Sequence, residues 1–167
     1  QEKAEEYYNQ ALLKIEENPV YGYYVAYRFE THALIDLAAT AYERSMELRP
    51  EANYYLQLAW IYGEQAKIEK MFTSYVDFVE KNNSYVNQAK RSFSEYISEN
   101  SDDENNGILR KVLLKKIQEQ PNILWNQLLS WLYVQQRDYA KAFAQEKAIY
   151  KREQESLRGV IDLAHLT

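Results

Sequence analysis

Few residues in this chain have the types and spacing to do chemistry. His32 and His165 are the only histidines, and no HExxH pair occurs. There is no cysteine, which excludes disulfides, thiolate metal sites and cysteine nucleophiles together. No Gly-x-Ser-x-Gly elbow is present, and the four glycines, at 22, 63, 107 and 159, lie too far apart to build a phosphate-cradling loop. Carboxylate pairs such as Glu16-Glu17 and Asp102-Asp103 read as surface charge rather than acid–base machinery. The expectation is a chain without an active site, cofactor or metal.

The stretch SENSDDENNG at 98–107 comes nearest to a metal loop. Asp102, Glu104, Asn106 and Gly107 imitate the first half of a calcium loop. The third position is Glu rather than Asp or Asn, and the twelfth is Leu113 where a bidentate Glu is needed. The stretch reads as a solvated acidic loop.

Composition points to helices. Of 167 residues, 46% are hydrophobic and 14% aromatic, while glycine (4) and proline (3) are scarce, which disfavours turn-rich β structure. The net charge of −5 argues against a counterion-release grip on nucleic acid or an anionic membrane. No apolar run approaches the roughly 18 residues of a transmembrane helix, so no membrane insertion is expected.

A repeated pattern positions the aromatic residues. Counting from Pro19, Ala52 and Ile123, the seventh and eighth residues are Val25-Ala26, Leu58-Ala59 and Leu129-Ser130. The eleventh are Phe29, Tyr62 and Tyr133, and the seventeenth are Ile35, Ile68 and Tyr139. Ala38 and Ala142 stand at position 20, Tyr42 and Tyr75 at position 24, and Pro50 at position 32. Counting one period outward, Ala4, Tyr8 and Ala11 fall in frame at one end, and Leu157, Leu163 and Ala164 at the other. Small residues at 8 and 20 let helix backbones approach, and large ones beside them fill the remaining space. Between 84 and 122 the frame is poor: SYVNQAKRSFSEYIS and ILRKVLLKKIQEQP still read as helices, joined by the acidic loop.

This pattern resembles the tetratricopeptide repeat family, most clearly in Leu58-Ala59 with Tyr62, in RDYAKA at 137–142 and in ATAYERSMELRP at 39–50. The resemblance covers nearly the whole chain. It implies an all-α, right-handed superhelical solenoid of antiparallel A and B helices, each pair covering the last. The units would be 1–18 (partial), 19–51, 52–83, 84–122 (degenerate, with the long acidic loop), 123–156, and 157–167 as the start of another. In this frame Gln1 opens a B helix and Thr167 stops inside an A helix, so a piece of a longer array is expected. The opening QEKAEEYY, without Met, suits a processed end, and export to a periplasm is favoured over the cytoplasm.

The resemblance also implies that positions 2, 5, 9, 12 and 13 of each A helix face a concave groove. Position 9 is Tyr27, Trp60 and Trp131; position 5 is Tyr23, Leu56 and Gln127; position 2 is Val20, Asn53 and Leu124. These rings either tile the inner wall or anchor a peptide segment or helix of another protein. The peptide-binding candidates are Tyr23, Tyr27, Leu56, Trp60, Leu124, Gln127 and Trp131. A clamp for a C-terminal carboxylate is not expected, since its cation and amide positions carry Tyr23, Tyr27, Gln57, Leu124 and Leu128. The leading function is a non-catalytic scaffold for protein segments. The alternative is a sensory or regulatory ligand-binding array whose output domain lies outside this sequence.

Overall fold

The computed structural model describes residues 2–153 and 156–166, with Glu2 described by its backbone alone. The repeat positions expected of Gln1 and Thr167 lie outside the described residues. Those residues hold ten α-helices, one short 3-10 turn and no strand. They form two compact units, 1–82 and 83–167.

The first unit contains α1 (Glu2–Glu17), α2 (Tyr21–Thr31), α3 (Ile35–Leu48), α4 (Tyr55–Glu64) and α5 (Ile68–Lys81). Its principal pairs are α2 with α3 and α4 with α5; α1 packs on both α2 and α3, and α3 on α4. Small side chains allow this. Ala26, Ala38, Ala41 and Ala59 are fully buried. Gly22 permits the closest approach: a Cβ there would lie 2.2 Å from Cβ of Ser45 on α3. Ser45 in turn donates its hydroxyl to the Pro19 carbonyl at 2.7 Å, so both sides of this contact are occupied. Ile15, Phe29, Tyr42, Ile61, Phe72 and Val76 fill the core. Between helices, Arg44 of α3 pairs with Glu16 of α1, and the Tyr62 hydroxyl of α4 donates to Glu43 of α3. Lys70 of α5 approaches the same carboxylate at 3.5 Å and lies 5.0 Å from the Tyr62 ring centre.

The second unit contains a 3-10 turn at Asn83–Tyr85, α6 (Val86–Ser94), α7 (Glu104–Glu119), α8 (Ile123–Gln135), α9 (Tyr139–Glu153) and α10 (Arg158–Ala164). Here α8 pairs with α9, α7 packs on α8, and α10 on α9. Trp125 is fully buried and donates its indole N–H to the Gln120 carbonyl at 3.1 Å, which holds the α7–α8 corner.

Three helix pairs are joined by the same turn. Ala33, Ala66 and Arg137 are left-handed, with φ of 57°, 53° and 57°. In each turn the next amide reaches back to the last large residue of the first helix: Leu34 to Phe29, Lys67 to Tyr62 and Asp138 to Tyr133, at 2.8–2.9 Å. A second bond runs from the left-handed residue itself, Ala33 to Glu30, Ala66 to Gly63 and Arg137 to Val134. These two bonds satisfy the carbonyls that a helix end leaves open. His32 lies in the first of these turns, just past the end of α2.

The acidic stretch departs from its expected form. It is a loop only to Asp103, and α7 begins at Glu104, before Gly107. Asp103 caps the helix by accepting from the Asn105 amide at 2.9 Å. Asn106, fully buried, donates to the carbonyls of Ser98 (2.8 Å) and Asn100 (2.7 Å) and accepts from the Ser98 amide (3.2 Å). Of the residues that imitate a calcium loop, Glu104, Asn106 and Gly107 thus lie within α7, and Asn106 anchors the loop. No group of three or more candidate metal ligands occurs among the described residues, and no described helix is long and apolar enough to cross a membrane.

Candidate functional site

In the first unit, the regular spacing of α2 puts Tyr23, Tyr27 and Glu30 on one face. Ala26, beside Tyr27, is buried against α3, so Tyr27 itself is turned outward and half exposed. Tyr23 and Tyr27 stack nearly parallel, with ring centres 6.3 Å apart and planes within 10°. Tyr23 also meets Tyr24 edge-on at 5.7 Å, Tyr54 at 6.2 Å and Tyr42 at 6.4 Å. Tyr42 and Tyr54 lie 5.1 Å apart, which ties α2, α3 and the entry to α4 into one aromatic cluster. On α4 the same alternation recurs: Ala59 is buried, Trp60 is 49% exposed, and Leu56 is half-buried one turn earlier.

Beneath the exposed rings, Tyr42 is buried and hydrogen-bonded to Glu30. Burial, reinforced by that carboxylate, raises the Tyr42 phenol well above its ordinary value, so it is a donor throughout the neutral range. Oε1 of Glu30 is buried and has no hydrogen-bond partner among the described residues.

In the second unit, Gln127 and Trp131 of α8 come together with Ser130 and Val134 at a cavity of about 440 Å³. Lys90 of α6, Glu146 of α9, and Gly159, Asp162, Leu163 and Leu166 at or beyond α10 complete its wall. Phe93 of α6 supports Trp131 at 6.2 Å, and the Lys90 ammonium lies 5.9 Å from the Trp131 ring centre. Burial lowers the Lys90 pKa, with Glu146 opposing the shift. Glu146 lies close over Gly159: a Cβ there would fall 2.0 Å from its Oε2, so a side chain at 159 would turn that flexible carboxylate aside. The cavity thus offers one cation, two carboxylates and an aromatic floor.

Of the candidates read from the sequence, Tyr23 and Tyr27 stand in one cluster, Leu56 and Trp60 share a face of α4, and Gln127 and Trp131 line one cavity. Leu124 is buried, only 6% exposed, because α7 packs over the start of α8. It is therefore a core residue, and its assignment to a binding face is corrected. Glu30, Tyr42 and Tyr54 were not candidates. Glu30 stands at position 12, a groove position whose residue type alone carried no signal. Lys90 lies where the repeat frame fails, and Glu146 occupies a position that holds an aromatic in the other units. No protein-family model matches the chain, and no curated protein sequence matches it.

Proposed function

We propose that this chain is a tetratricopeptide-like array, its helix pairs stacked in a right-handed superhelical solenoid. It acts as a non-catalytic scaffold that holds segments of another protein, on the outward faces of α2 and α4 in the first unit and, by itself, on that of α8 in the second. One observation carries this reading. In all three helices the residue at position 8 is buried (Ala26, Ala59, Ser130), while the large aromatic that follows it (Tyr27, Trp60, Trp131) keeps solvent contact. A ring held rigidly by a buried neighbour has little entropy left to lose when a partner covers it. The identical turns at Ala33, Ala66 and Arg137 support the repeat reading, because they place each B helix against its A helix in the same way. The partner is a protein rather than nucleic acid, consistent with the net charge of −5.

The test is affinity capture by the full chain, compared with the Trp60→Ala and Trp131→Ala variants. The expected result is one partner whose recovery falls at least roughly tenfold in each variant, the loss of a buried aromatic anchor. Equal recovery by all three proteins would refute the reading.

A second reading, a ligand-binding sensory array, is favoured by the cavity at Trp131. A cation on α6 and carboxylates on α9 and α10 around an indole suit a small zwitterion such as a free amino acid. A thermal-shift screen of free amino acids against the wild type and Lys90→Met discriminates: stabilisation lost in the variant supports this second reading.

A further inference from the structure

We propose that the segment seated on α2 and α4 is cationic, with Arg or Lys side chains lying over the rings of Tyr23, Tyr27 and Trp60 and donating to Glu30. This rests on the reading of those faces as a site for a protein segment, and adds the chemistry of what is bound.

Three observations lead there. The first is exposed aromatic surface: Tyr23, Tyr27 and Trp60 are 41–50% exposed, and their faces carry the negative end of the ring quadrupole. The second is charge. From Asn53 through Glu64 there is no Lys or Arg, and α2 has a single one, Arg28. Arg28 lies on a different flank, where with Lys14 it lines a separate cavity between α1 and α2. The face itself carries Glu30 and Glu64. The third is Glu30 itself, partly exposed on this face, with one carboxylate oxygen that has no hydrogen-bond partner among the described residues. That oxygen is closed to solvent as it stands, and a rotation of the carboxylate would bring it to a charged donor, the strongest partner it could take. An acidic segment would meet like charge, and a neutral apolar one would leave the acceptor as it is.

The experiment uses the full chain and three labelled peptides of equal length: alternating Arg-Ala, alternating Glu-Ala and alternating Pro-Ala. Binding is followed by fluorescence anisotropy. The Arg-Ala peptide is expected to bind about tenfold tighter than the other two, and Tyr27→Ala, Trp60→Leu and Glu30→Gln each to weaken it several-fold. Glu30→Gln removes the charge at nearly constant shape, so it remains informative if an aromatic variant unfolds. Glu119→Gln, an exposed change on α7, is the control for general attraction to an acidic protein and is expected to leave binding unaltered. If Arg-Ala binding ignores Tyr27, Trp60 and Glu30, or if no peptide binds, the proposal is overturned. If Pro-Ala binds best and depends on the same rings, the cationic specificity is overturned while the face survives as a segment-binding site.

Discussion

The connection from α2 to α3 and the connection from α6 to α7 end one helix and begin another by opposite means. The first takes three residues, 32–34, and is closed by main-chain bonds around a left-handed Ala33. The second runs from 95 to 103 and is closed by side chains: Asp103 caps α7, and the Asn106 amide holds Ser98 and Asn100 from inside the helix. A main-chain closure costs strain at one residue and asks little of residue identity. A side-chain closure carries no such strain, but it depends on residue identity: Asn105 also donates to the Tyr96 carbonyl, Ser98 to Asp103 and Arg110 to the Ser101 carbonyl, and only Asn106 among these is fully buried. The glycines repeat the contrast. Gly22 sits where α2 and α3 touch, whereas a Cβ at Gly107 in α7 would meet nothing within 4 Å.

The largest expected effect tests the side-chain closure. Asn106→Ala leaves the Ser98 carbonyl and amide without partners and takes one of two donors from the Asn100 carbonyl, and should destabilise the second unit by about 2–3 kcal/mol in urea unfolding. Amide exchange should rise first across 96–103, and a change spread evenly over the chain would break the contrast. Next, Gly22→Ala should cost about 1–3 kcal/mol through overpacking against Ser45. Adding Ser45→Gly should restore much of that loss, and simple additivity would show that the contact is not the cause.

Changes of opposite sign sharpen the comparison. Gly107→Ala should stabilise α7 by about 0.5–1 kcal/mol, since it adds helix propensity and meets no neighbour. Ala33→Gly should raise the urea midpoint by an amount corresponding to about 0.5–1 kcal/mol, the relief of left-handed strain less the entropy glycine adds to the unfolded chain. A midpoint that falls would mean that the turn is not strained.

The smallest signal comes from alkali. Burial, then the hydrogen bond to Glu30 or Glu43, raises the phenols of Tyr42 and Tyr62 above the ordinary 10.0. The folded chain keeps protons there that the unfolded chain releases. Their contribution is therefore complete below pH 10.0 and declines as pH rises above it. The urea midpoint of the first unit should fall as pH rises above 10.0, and Tyr42→Phe should flatten part of that slope; an unchanged slope would remove Tyr42 as a contributor.

What could be read in the sequence was the part written in side-chain size. Ala26, Ala38, Ala59, Ser130 and Ala142 were expected where helices touch, and all are buried. The left-handed corners were not legible, because Ala and Arg occupy positions where glycine would have announced them. The start of α7 was misplaced because Asn-Asn-Gly has poor helix propensity, and three hydrogen bonds from Asn106 outweigh it. Leu124 was misassigned because position 2 implies a groove only when nothing covers the helix start. The resemblance implied outward positions for Tyr23, Tyr27 and Trp60, which are 41–50% exposed, but the carboxylate beneath the tyrosines depends on a contact from Glu30 to another helix.

The three corners His-Ala-Leu, Gln-Ala-Lys and Gln-Arg-Asp trace one path although no position carries the same residue in all three. A bend formed by peptide groups alone lets its residues drift in evolution without changing shape. Such drift erases likeness between distant descendants of one repeat long before it alters their architecture. It also marks these corners as tolerant places for inserting an epitope or a dye.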